Sequence, residues 1–188
     1  MRRLLIPQPE ESLISIIPKW AAPVVELVFD RRVPYWCQLP YPGHPKGCPN
    51  FGKRPKNCSP QAPHVTKLFN VRKPMFLVWS EFDLAAHAAR MKAKHPKWSD
   101  RQCRCALYWQ EGSKKQARER SEYFIKFILK DKRYVAHHMS HAAGVQLYAT
   151  WAAAGVPLQR IRDITINRHV SLVGVWLGGK NLLGACKH

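Results

Sequence analysis

The sequence predicts an α/β or α+β fold: one compact domain with a central, mostly buried sheet, flanking helices and a long proline- and cysteine-rich loop. Three observations predict it. Short apolar runs at 23–29 and 74–79 come before the helix-period patterns, and another at 170–177 comes after them. The chain has 188 residues, 46% of them hydrophobic, enough for one real core but short for several domains. From Cys37 to Pro60 the segment CQLPYPGHPKGCPNFGKRPKNCSP holds three cysteines and six prolines, so it forms neither a long helix nor a regular strand. One domain over 1–188 is expected: a metal loop at 34–63, a helical section at 80–155, and C-terminal strands and tail at 159–188.

The elements follow in order. SLISIIPK, 12–19, predicts a short helix or strand stopped near Pro18. PVVELVF, 23–29, predicts one buried strand ended by Asp30 and Arg31. PMFLVW, 74–79, predicts a second. Ser80 with Asp83 three residues on predicts the N-terminus of a helix reaching about residue 93. Ser99 with Gln102 repeats the pattern and predicts a helix through Tyr108 or Trp109. Gly112 predicts a break, then a helix to about Lys130 with Ala117, Phe124, Ile125 and Ile128 in one stripe. Residues 139–154 predict the clearest helix: Gly144, Leu147, Trp151 and Ala154 recur at three and four, and Gly155 and Pro157 stop it. VSLVGVWL, 170–177, predicts a strand covered on both faces.

The formal net charge is +19. Such a surplus repels itself and points to an anionic partner, with nucleic acid, RNA or DNA, first. The opening MRRLLIPQPEE has no apolar signal core, and no run reaches the ~18 apolar residues of a membrane span. A reduced, cytoplasmic protein without a membrane is therefore expected, and in that setting grouped cysteines point to metal or catalysis before disulfides.

The loop spacing is Cys37-x10-Cys48-x9-Cys58. Zinc knuckles and ribbons use a close Cys-x2-Cys pair, which is missing. Three separated thiolates suit a 4Fe-4S cluster with one iron left open, and Cys48-Pro49 has the Cys-Pro step of ferredoxin loops. Three readings stand: an iron–sulfur cluster on Cys37, Cys48 and Cys58; zinc with a histidine or a fourth cysteine; and ordinary loop thiols. His44 is the nearest fourth ligand and His64 the next. Folding energy from a metal would replace the missing backbone ladder. Cys103 and Cys105 lie two apart on a predicted helix and point to different faces. Cys103 fits the core, and Cys105, beside Arg101 and Arg104, fits a reactive thiolate. Cys186 in the tail carries little information.

On Gly47-Cys48-Pro49-Asn50-Phe51-Gly52-Lys53 and Cys58-Ser59-Pro60, the chain resembles an uncharacterised family of archaeal and bacterial cysteine-rich metal-binding proteins. Ala143-Gly144-Val145, Tyr148-Ala149-Thr150 and Ala154-Gly155-Val156-Pro157 extend the resemblance in patches over 37–157. The wide cysteine spacing and the HHMSH stretch depart from the family pattern. The resemblance implies metal binding and supplies no reaction.

Nine Lys or Arg and no Asp or Glu fall between Arg31 and Lys73. Some of these cations offset bound thiolates, and the rest would draw in an anion. Lys46, Lys53, Arg54 and Lys56 are the phosphate candidates of the loop. Residues 90–133 add fourteen Lys or Arg against five acids, and Lys114, Arg118, Lys126 and Lys130 recur at multiples of four in a drifting stripe that can track phosphates. Trp98, Tyr108 and Trp109 suit stacking on unpaired bases, although large aromatics are more often core. In HHMSH, His137 and His141 at i, i+4 and His138 and His141 at i, i+3 would share a helix face. No glutamate stands between them as in HExxH, so surface histidines at a helix start are the favoured reading. No nucleophile elbow, P-loop or dinucleotide fingerprint is present.

Three functions fit. The first is a sulfur-handling enzyme modifying nucleic acid or nucleotides, with Cys37, Cys48 and Cys58 as ligands, Lys53, Arg54 and Lys56 on phosphate, and Cys105 or His44 handling protons or sulfur. The second is a non-catalytic, zinc-stabilised nucleic-acid-binding module of a larger assembly. The third is a redox or metal-delivery protein.

Overall fold

Strand β4 (Phe76–Trp79) is apolar at every position and buried along its length. Alternation divides its side chains between two cores: Leu77 and Trp79 enter one, Phe76 and Val78 the other. Burying each of these large side chains contributes about 1.5–3 kcal/mol. The computed structural model describes residues 1–40, 45–49, 51–53, 62–138, 141, 143–155, 166–167 and 169–178.

Beside β4 lie β2 (Ala21–Pro23) and β8 (Val170–Val175), and β6 (Tyr134–His137) closes the sheet in the order β2-β4-β8-β6. Every neighbouring pair is antiparallel, which makes the single domain α+β of the two classes expected. In β8, Leu172 faces the first core and Val173 the second, so the predicted double coverage is present. The first core is completed by α2 (Val65–Leu68), by α6 (Leu147–Ala153) through Trp151, and by β3 (Glu26–Phe29), which pairs with β1 (Arg2–Leu5). The second is covered by Phe124, Ile125, Ile128 and Leu129, in the continuation of α5 (Gln110–Tyr123).

The expected elements shift in several places. Residues 12–19 yield only α1 (Glu11–Ile14). The run 23–29 is two strands in two sheets, because the chain turns at Val24–Val25 after the Val24 amide bonds Met75. Hydrophobicity is continuous across that turn and hides it. Ser80 is no helix cap: the chain stays extended through β5 (Phe82–Asp83), and the Asp83 carboxylate accepts the Ala86 amide at 2.8 Å to start α3 (Leu84–Lys94). Ser99 and Gln102 do form the predicted capping box, on a shorter helix, α4 (Asp100–Cys103). A 3-10 turn, Ala106–Tyr108, follows it.

Gly112 breaks nothing, since α5 runs through it; an exposed helical glycine costs only about 1 kcal/mol. Beyond Tyr123 the helix widens into a π turn, Phe124–Leu129, closed by Lys130 in the left-handed region. The section 80–155 is not wholly helical, because β5 and β6 lie within it. His137 ends β6, and among the described residues of 139–154 the helix runs from Leu147, with Gly144 at φ +86 before it. The pairing of β6 with β8 takes in His137, so His137 and His141 do not face one another along a helix as the i, i+4 pattern suggests; Met139 and Ser140 lie outside the described residues. The short β7 (Ile166–Asn167) pairs with β5. Among the described residues no helix is long and apolar enough to cross a membrane.

Candidate metal and anion site

The cysteine loop leaves the first core at Asp30. The Asp30 carboxylate, nearly buried, accepts from the Arg32 amide at 2.9 Å and from its guanidinium at 2.7 Å. Those bonds hold its pKa at about 2. The chain then enters a 3-10 turn, Val33–Gln38, with Pro34 in its first turn and Cys37 near its end. Cys48 returns to this turn: its amide donates to the Cys37 carbonyl at 2.6 Å. Only glycine fits before it. Gly47 has φ +79, and a Cβ there would lie 2.6 Å from the carbonyl oxygens of Cys37 and Gln38. The Phe51 amide donates to Cys48 at 3.2 Å, and the Phe51 ring reaches Tyr35, with centroids 6.2 Å apart.

Two of the three predicted metal ligands, Cys37 and Cys48, are therefore joined through their backbones, and both are half-buried. Cys58 and His44 lie outside the described residues, as do Arg54 and Lys56. Lys46 and Lys53 are exposed on either side of Cys48. Among the described residues no group of three or more His, Cys, Asp or Glu gathers. Cys103 is buried in α4 as expected, and Cys105 is half-buried, its amide donating to the Gln102 carbonyl at 3.1 Å. Neither joins Cys37 and Cys48 in such a group.

A cleft of about 900 Å³ opens where the loop leaves and rejoins the domain. Its walls include Arg2, Arg31 and Arg32, the rings of Phe29, Tyr35 and His64, and the backbone of Gly144. His64 caps α2: its Nδ1 accepts the Thr66 amide and lies 2.9 Å from Thr66 Oγ1. Its ring packs on Phe29, centroids 4.9 Å apart, and over Gly144, where a Cβ would come 3.3 Å from the imidazole. Partial burial, then the charge of Lys67, lowers its proton affinity, so the neutral ring is favoured. With Arg32 neutralised by Asp30, Arg2 and Arg31 are the lining side chains left with positive charge. The sequence marks these arginines only as part of a basic run; their convergence with Phe29 and His64 depends on pairing of β1 with β3 and on the Phe29–Val145 bridge.

The predicted cationic stripe is divided. Lys114 and Arg118 are half-buried on α5, and Arg118 pairs with Glu111 at 3.1 Å. Lys126, inside the π turn, and Lys130, which closes it, are exposed, and the changed number of residues per turn rotates them from the earlier pair. Lys126 lies over the Phe127 ring at 5.1 Å.

The histidines serve the sheet. His138 Nδ1 shares a hydrogen bond with buried Ser171 Oγ at 2.7 Å. His169 Nδ1 bonds Ser113 Oγ at 2.8 Å, and Ser113 bonds Ser80 Oγ at 2.8 Å. Burial pushes His137, His141 and His169 down to about 4. Ser80 and Ser113 are buried, so this Ser–Ser–His chain satisfies core polar groups and is no accessible nucleophile.

No family model matches the chain, and neither does any curated protein or solved structure.

Proposed function

We propose that this protein binds a metal centre, an iron–sulfur cluster, in its cysteine loop and acts on nucleic acid or another polyanion, as a sulfur-handling modification enzyme of nucleic acids or nucleotides. The observation that carries the reading is the junction of Cys37 with Cys48, made by a 2.6 Å backbone bond over a glycine that no other residue can replace without displacement. A segment with six prolines, which donate no backbone hydrogen bond, gains its order from what its thiols hold. Cys37 and Cys48 would be ligands, with Cys58 as the third. The cluster, when bound, supplies a Lewis-acid iron not held by a thiol.

The chain's own residues do the rest. Arg2 and Arg31 attract an anion to the cleft, and Tyr35, which lines it, sits two residues before Cys37. Phe29 and His64 offer ring faces to a base. Lys46 and Lys53 flank Cys48 and offset thiolate charge.

The test is purification without oxygen, with iron, sulfide and zinc measured per chain and the visible absorption recorded. Iron and sulfide in comparable amounts are expected, both lost in Cys37→Ser and in Cys48→Ser while the far-ultraviolet circular dichroism stays unchanged. Zinc without sulfide would favour the zinc-stabilised binding module of a larger assembly. A metal-free protein with idle thiols would remove both readings.

A further inference from the structure

Three rings lie in a column: His95 and Trp98 from the connection between α3 and α4, and Tyr108 from the 3-10 turn after α4. His95 stacks on Trp98 with centroids 4.1 Å apart and planes 13° apart, and Trp98 stacks on Tyr108 at 5.3 Å and 26°. We propose that this column is a platform for the bases of a single-stranded nucleic acid. The proposal rests on the nucleic-acid part of the function above and not on the metal.

The contrast with the next residue carries the argument. Trp109 is 8% exposed and stacks on Phe82 at 5.0 Å and 14°, as a core aromatic does. Tyr108, at the end of the column, is 54% exposed. Burying its ring would also gain hydrophobic stabilisation, yet Tyr108, the last residue of the 3-10 turn, faces outward while Trp109, directly after it, faces inward. An exposed ring already in a parallel stack presents the surface on which a base adds.

The column is held before any ligand arrives. Lys92 Nζ donates to the Trp98 carbonyl, and the Ser99–Gln102 capping box begins at the following residue. Little ordering entropy remains to be lost on binding. The surrounding charge selects the partner: over residues 90–104 there are six Lys or Arg against the single acid Asp100. Among the described residues, none of the six makes an ion pair. Cations follow a phosphate backbone while ring faces take bases, and bases already paired in a duplex do not offer theirs.

The test is binding of one labelled mixed-sequence oligonucleotide, as single-stranded RNA and DNA and as duplex, alongside vesicles of phosphatidylserine and phosphatidylcholine. Single strands are expected to bind more tightly than duplex and to quench tryptophan fluorescence. Tyr108→Ala, an exposed substitution that leaves the fold intact, should weaken single-strand binding about tenfold. Tyr108→Phe should stay within about twofold of wild type, because the ring face is kept. Lys97→Ala should lower the slope of log affinity against log salt by about one. Metal per chain, measured on the same samples, should not change. Wild-type protein that carries metal and binds no single strand overturns the platform and leaves the metal reading standing. Equal affinity for duplex, full binding by Tyr108→Ala, or Tyr108-dependent binding to vesicles alone overturns it as well.

Discussion

The Cys48 amide meets the Cys37 carbonyl at 2.6 Å, and Gly47 makes that meeting sterically possible. Gly47→Ala would press a Cβ against two carbonyl oxygens at a φ of +79, so the two cysteines must separate. On the proposed metal reading, metal per chain is expected to fall at least severalfold in this variant. Gly52→Ala is the control: its φ is +73 but nothing lies within 4 Å, so a cost of about 1 kcal/mol and retained metal are expected. Elemental analysis of both proteins checks this, and full occupancy in Gly47→Ala would remove the junction from the metal site.

Phe124 fixes the long helix to the sheet. It is fully buried, and its ring meets Phe76 edge-on at 5.2 Å. Phe124→Ala should cost about 3–5 kcal/mol in urea unfolding. Phe127, three residues on and 51% exposed, should cost under about 1 kcal/mol on the same change.

Acid should weaken the fold through His137. Burial, then the charges of His138 and His141, lowers its pKa to about 4. The unfolded chain takes up the proton near the ordinary value of about 6.5, before the folded chain does. The stability contributed by the neutral ring is therefore full above that value and is lost as pH falls toward 4. The urea midpoint should drop between pH 7 and 4.5, and His137→Gln should flatten part of the drop. A midpoint independent of pH over that interval would refute the assignment.

Ser99 closes both hydrogen bonds of the capping box, with Gln102 Oε1 accepting the Ser99 amide at 2.8 Å. Ser99→Ala should cost about 1 kcal/mol. Hydrogen exchange should quicken over 98–103 and stay unchanged in β4 and β8. Uniform quickening would mean that α4 does not open on its own.

The sheet centre was legible from residues 74–79 and 170–177 because a strand buried on both faces needs apolar residues at every position. Cap chemistry was legible at Ser99 because it acts over three residues, and it misled at Ser80, whose hydroxyl is engaged by Ser113 from another element. The cysteine loop was legible as irregular and thiol-rich, and Cys37 and Cys48 do meet. The cleft was not legible, since Arg2, Arg31, His64 and Gly144 come from four separate stretches.

Composition, charge, the two central strands and the proline-bound loop were determined by the sequence alone, because each depends on residue types or on neighbours a few positions apart. Only the tertiary structure decided that His137 ends a strand, that Tyr108 faces water while Trp109 is buried, and that Gly47 lies against Cys37. Those outcomes depend on which distant segments pair and pack, and that long-range pairing outweighs local periodicity wherever the two disagree.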